Sequence, residues 1–169
     1  MTKILQLVFT AFLVLGVTTV TGLTHEYSTG HLVIEHPHMT TPIPGAKVSA
    51  GYVAIRNTGT ERERLVAVKA EFADKTQIHN MEIVDGIAKM RPVRNGLIIP
   101  AGGQVTLKRG GLHLMFIKVS NSVDVGQLLP VKFLFEKAGI VEVEMIVIDP
   151  EDLDDEESDS EMDHSSHAN

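Results

Sequence analysis

Between residues 47 and 148 apolar and polar side chains alternate in short runs: KVSAGYVAIRN, RLVAVKAE, TQIHNMEIV, GIAKMRP, GLIIP, QVTLK, LHLMFIKV, LLPVKFLFE and IVEVEMIVI. A period of two sends alternate side chains to opposite faces of a pleated strand, one face for a core and one for solvent. Asn-Thr-Gly, Asp-Gly, Asn-Gly, Ala-Gly-Gly, Arg-Gly-Gly and Ala-Gly separate the runs. These are turn residues because glycine and asparagine tolerate positive φ. About eight or nine short strands at this spacing predict an all-β fold, an antiparallel sandwich or barrel. A brief helical turn over Ala70 to Asp74 is the one exception the pattern allows, and there is no internal repeat.

The ends of the chain read differently. Residues 1–24 combine an early lysine, an apolar run from Ile4 to about Val17 and small residues near Gly22, the pattern of a secretory signal peptide. That run is shorter than the roughly 20 residues a spanning helix needs, so no stable membrane insertion is expected after cleavage. A histidine-dotted lead, HEYSTGHLVIEHPHMTTPIPGAK, then ends in a Pro/Gly-rich turn region. The 169 residues suit one domain, expected over 25–150. Residues 151–169 are too charged and too poor in apolar side chains to bury a core, and are expected to be a disordered acidic tail.

Charge follows the same division. The formal net charge is −7, but nine of the 22 acids lie between Glu151 and Asp163, leaving 13 acids against 15 bases before them. The body is nearly neutral, and nothing in it suggests a nucleic-acid surface. The tail acids lack the glycine at the sixth position that a calcium-binding helix-loop-helix loop requires.

Candidate chemistry centres on IHNMEIVDGIAKM. Asp85-Gly86 is a strong two-residue hairpin signal, and it sets the register: Val84 faces Ile87, Ile83 faces Ala88 and Met81 faces Met90. His79 shares a face with Met81 and is a diagonal neighbour of Met90. A second run, GGLHLM, puts His113 and Met115 on one face of another strand. Methionine often fills gaps in cores. Two His-x-Met pairs and a registered third methionine in one small domain are much harder to obtain by chance.

Imidazole and thioether donors without thiolate or carboxylate suit Cu(I), a soft ion. Zinc would draw on cysteine, histidine or carboxylate, and calcium and magnesium on oxygen. The chain has no cysteine, which excludes a blue-copper centre and its thiolate ligand. Such a site suits carrying copper rather than cycling electrons.

These residues carry a resemblance. IHNMEIVDGIAKMRPV, IPAGGQVTLKRGGLHLMF and FLFEKAGIVEVEMIV, together with AGYVAIRNTG and ERLVAV, resemble the periplasmic copper chaperones of the PCu(A)C family from about Leu32 to Ile148. The resemblance implies a cupredoxin-like β-sandwich of the periplasm, in keeping with the export signal read at the N-terminus; a monomer is expected, and no enzyme. It implies Cu(I) ligation by His79, Met90, His113 and Met115, with Met81 as an accessory sulfur at the mouth. It further implies delivery of copper to cytochrome c oxidase subunit II, or to another copper assembly factor. His38 and Met39 depart from the family pattern and offer a possible extra donor pair. Met162, His164 and His167 in the tail offer harder donors for a second copper, Cu(II), and His25 offers another such donor if cleavage frees its amine.

The expected mechanism is capture, shielding by an apolar rim of Leu112, Leu114 and Ile83, and handover. Imidazoles bind metal only when neutral, so affinity should weaken below about pH 6.5. No Gly-x-Ser-x-Gly elbow, phosphate loop or His-Glu-x-x-His motif points to an enzyme. The competing readings are a copper-sequestering tolerance protein of the cell envelope and a secreted β-sandwich scaffold that binds no metal.

Overall fold

A computed structural model describes residues 26–43, 45–120 and 123–153. Its eleven elements are all strands: β1 (Glu26–Thr29), β2 (Leu32–Thr40), β3 (Val48–Asn57), β4 (Glu63–Ala70), β5 (Ala73–Val84), β6 (Ile87–Pro92), β7 (Leu97–Ile99), β8 (Gln104–Leu107), β9 (Leu112–Val119), β10 (Leu128–Phe135) and β11 (Gly139–Ile148). The all-β, cupredoxin-like expectation holds. The count exceeds eight or nine because the histidine-dotted lead contributes β1 and β2. The expected signal peptide, residues 1–24, and the expected tail beyond Leu153 lie outside the described residues.

Pro37 is what hides β2 in the sequence. It sits in a bulge where the β2–β3 register shifts between Glu35 and His38, and His36 takes φ 51°. A bulge lets a strand accommodate a proline that cannot donate to the ladder. The helical turn expected over Ala70 to Asp74 is instead a two-residue turn at Glu71-Phe72, since β4 runs to Ala70 and β5 starts at Ala73. That turn carries the chain from β4, paired with β10, to β5, paired with β9.

Hydrogen bonding follows the order β6-β5-β9-β3-β2-β11-β10-β4-β7, with β1 added to β2 and β8 to β3. All neighbours are antiparallel except β11 and β2, which run parallel. A parallel pair needs a long crossover, and strand alternation carries no trace of it. Inward side chains of β2, β3, β5 and β9, among them Ile34, Met39, Val53, Ile78 and Phe116, meet those of β4, β10 and β11, among them Leu65, Phe133, Phe135, Val143 and Met145, in one core. Gly51 allows close packing there: a Cβ on it would stand 2.6 Å from Phe116 Cε2 and 3.1 Å from the Met145 methyl. The inward set of β9, Leu114 and Phe116, leaves His113 and Met115 on the opposite, outer face.

Candidate metal centre

The β5–β6 hairpin has the register its turn predicts. Asp85 and Gly86 both take positive φ, 55° and 75°, as a turn matched to strand twist requires. Val84 lies opposite Ile87, Ile83 opposite Ala88 and Met81 opposite Met90. What the sequence does not reveal is the partner of the hairpin. β5 pairs with β9 so that His79 lies directly opposite His113 and Gln77 opposite Met115. His79, Met81, Met90, His113 and Met115 therefore share the outer face of three adjacent strands, β6, β5 and β9.

The two imidazoles stand with ring centroids 5.8 Å apart at 68°. His113, only 6% exposed, has Nδ1 2.9 Å from the Gly111 carbonyl. A carbonyl only accepts, so Nδ1 carries the proton and Nε2 the lone pair. In His79, Nε2 donates to Gln77 Oε1 at 3.4 Å, while Nδ1 is buried without a hydrogen-bond partner. A buried polar atom left unpaired is costly, and a metal ion at Nδ1 would satisfy it. Burial chiefly, then the nearby His113 and Lys75, lowers the His79 pKa, which keeps the ring neutral and able to ligate.

Three methionines share the face with this pair. Met115 and Met81 are half-buried two residues along from His113 and His79, and Met90, 46% exposed, faces Met81 at the open side. Among the described residues no group of three or more His, Asp or Glu side chains could hold a metal ion, and the chain has no cysteine. A metal on this face would draw its remaining ligands from thioethers. The donor set fits a soft monovalent cation.

Two further expectations change. Met39 is fully buried in the core, on the face opposite His38, so the two are not a donor pair. His38 instead packs its ring 5.3 Å from that of Tyr52, with Nδ1 bonded to the His36 carbonyl at 2.9 Å. Leu112 and Leu114 do not rim the site either. Leu114 is wholly in the core and Leu112 packs against it, because residues flanking His113 must face the other way. Only Ile83, 72% exposed, extends the ligand face. Met162, His164, His167 and His25 lie outside the described residues.

Comparison with known proteins gives the chain a family. The model of the LpqE-like family, described as "Putative lipoprotein LpqE-like", matches residues 32–147. A protein of Leifsonia xyli subsp. xyli (strain CTCB07), "Putative lipoprotein Lxx21020", is 28% identical over 91 residues, covering 54% of this chain and 55% of that protein. The chain thus matches about half the length of this curated relative. The apo PCuAC domain from PmoF1 is 30% identical with TM-score 0.63, covering 75% of this chain and 100% of that domain. The copper-bound PCuAC domain from PmoF2 is 28% identical with TM-score 0.63, covering 75% and 99%. With the family model spanning most of the chain and PCuAC domains superimposing over their whole length, the chain belongs to the LpqE-like family and carries a domain of the PCuAC type.

Proposed function

We propose that the protein is an exported copper chaperone that holds Cu(I) through His79, Met90, His113 and Met115, with Met81 as an accessory sulfur. The observation that carries this reading is the facing imidazole pair, His79 with an unpartnered buried Nδ1 and His113 with its other nitrogen anchored, set among thioethers on one face. That a PCuAC domain of the same fold is copper-bound supports copper as the cargo. The name of the Leifsonia relative, a lipoprotein, supports a place in the cell envelope, the periplasm in this reading.

Copper is carried here rather than used. Thioethers bind without losing a proton, and neutral imidazoles need only remain unprotonated. Met90, at the edge of the sheet and exposed, is the ligand a recipient would meet first, so handover begins by replacing its sulfur. The recipient in this reading is the copper site of cytochrome c oxidase subunit II during assembly, or another assembly factor. Met162, His164 and His167 would add a weaker Cu(II) site on the tail.

Anaerobic competition against a chromogenic Cu(I) chelator tests the proposal. One tightly held Cu(I) per chain, lost in His113→Ala and weakened in Met90→Ala, is the expected result. A chain that leaves all copper with the chelator is a scaffold, and the proposal fails. Tight binding with no transfer to a subunit II copper domain would instead favour sequestration.

A further inference from the structure

β6 is an edge of the sheet: it pairs with β5 alone, and all six of its residues are exposed. The register determines which of its backbone groups are already bonded. The two-residue turn makes Val84 and Ile87 the first hydrogen-bonded pair, so Ile87, Lys89 and Arg91 direct their amide and carbonyl groups at β5. Two bonds outside the hairpin bear out that alternation. Val93 N donates to the Ile78 carbonyl at 2.8 Å, continuing the same series, whereas Met81 N, opposite Met90, turns away from β6 to the Gly111 carbonyl at 3.1 Å. Ala88, Met90 and Pro92 therefore point their backbone groups at the open edge. Pro92 has no N–H, so the free donors are those of Ala88 and Met90.

Charge selects what can pair there. Lys89 and Arg91 project from the face of β6 opposite Met90, and neither makes an ion pair among the described residues. Glu82 lies across from Lys89 but accepts from Asn80 Nδ2 at 2.8 Å instead. A second copy of β6 is a poor match for this edge. An antiparallel pair with its two-fold axis at Lys89 sets that lysine against its own copy, and an axis at Met90 sets Lys89 against Arg91 twice. Like charges directly opposite destabilise a ladder. An axis at Ala88 would call on Gly86, which at φ 75° belongs to the turn. Lysine and proline on an edge repel unwanted strands. The same cations attract a strand that carries acids at the facing positions.

We propose that an extended acidic segment of the copper-receiving protein adds to β6 as an antiparallel strand, bonding to the N–H and C=O groups of Ala88 and Met90. In that pairing the residue opposite Met90 stands about 5.5 Å away between Cα atoms and projects on the same face, beside the sulfur. Its two neighbours face Lys89 and Arg91 and carry the carboxylates. An acid–donor–acid triplet, with a soft side chain such as methionine as the donor, thus sets a new ligand next to Met90, the most exposed of the proposed ligands. The docking needs only the edge and its cations; the handover rests on the function proposed above.

Amide hydrogen exchange of the metal-free full chain, read by NMR, tests the docking with a synthetic peptide, Thr-Val-Asp-Met-Glu-Val-Thr. At about 1 mM peptide, exchange at Ala88 and Met90 should slow at least about twofold, the factor for a dissociation constant of about 1 mM. Lys89 N, already bonded to β5, should change little. The same peptide N-methylated at its Met and its second Val, whose N–H groups would meet β6, should protect neither position. A peptide with lysines for both acids should also leave them unchanged, and a chain carrying Lys89→Gln and Arg91→Gln should no longer distinguish the two charge forms. No protection, or protection indifferent to N-methylation or to charge, overturns the docking. Protection that grows with protein concentration in the absence of peptide assigns the edge to a second copy and overturns it too. On the chain loaded with Cu(I), the peptide should speed transfer to a chelator several-fold and its N-methylated form should not; equal rates overturn the handover. A chain that takes up no copper defeats the proposed function while leaving the exchange result to decide the docking.

Discussion

Two hairpins of the same sheet divide the work of this molecule. In β10–β11 the inward residues Val131, Phe133, Phe135, Val143 and Met145 are almost wholly buried. The entry to its turn is held by Glu63, whose carboxylate accepts from Arg64 N, Lys137 N and Ala138 N at 2.7, 3.1 and 2.9 Å. In β5–β6 every residue of β6 is exposed, and Ile83, Val84, Ile87 and Met90 show 72%, 37%, 63% and 46% of their surface. Both hairpins are antiparallel pairs, but β10 and β11 have strands on both sides while β6 is an edge strand paired only with β5. The first adds far more core burial, which dominates fold stability, whereas the second buries chiefly Ile78 of β5. The second holds side chains that stabilise little where they stand and are free to serve another partner. Stability and the proposed copper chemistry fall at separate positions in one sheet, so each should be alterable without the other.

The sharpest break in that comparison is Phe133→Ala. Deleting a ring with no exposed surface should cost about 3–5 kcal/mol in urea unfolding, whereas Met90→Ala should stay within about 0.5 kcal/mol of the natural chain. Equal losses would erase the distinction between the hairpins. Next in size, His113→Ala should reduce Cu(I) affinity by more than about a hundredfold, beyond what loss of a supporting contact to a ligand usually costs. A competition titration showing affinity intact would remove His113 from the ligand set. Glu63→Gln should destabilise by about 1–3 kcal/mol, because an amide offers one acceptor oxygen where three backbone donors converge, and should leave copper affinity alone.

The smallest effect is the pH dependence. Protonated imidazole cannot ligate, so copper affinity should be flat near neutrality and fall on acidification by at most about tenfold per pH unit for each ring. Burial, His113 and Lys75 hold the His79 pKa below its ordinary value, so its ring resists protonation further into acid and its loss sets in below about 6.5. A titration series from about pH 7.5 to 5 with constant affinity would argue against histidine ligation.

Much of this was legible in the residues. Alternation and turn chemistry located nine of the eleven strands. Asp85-Gly86 alone determined that Met81 faces Met90, because a two-residue turn with positive φ at both positions leaves a hairpin one register. The spacing within each His-x-Met pair put each pair on one face. β2 was hidden because Pro37 breaks the strand signal while a bulge rescues the strand. Met39 and Leu114 were misplaced because alternation tells which residues share a face, not which face is covered. Only the tertiary structure decided that β5 lies beside β9 with His79 opposite His113, since residues 34 positions apart meet through burial of the opposite faces of both strands in the common core. Local rules act over a few residues, and it is the core that selects which strands become neighbours and so turns two separate donor pairs into one face.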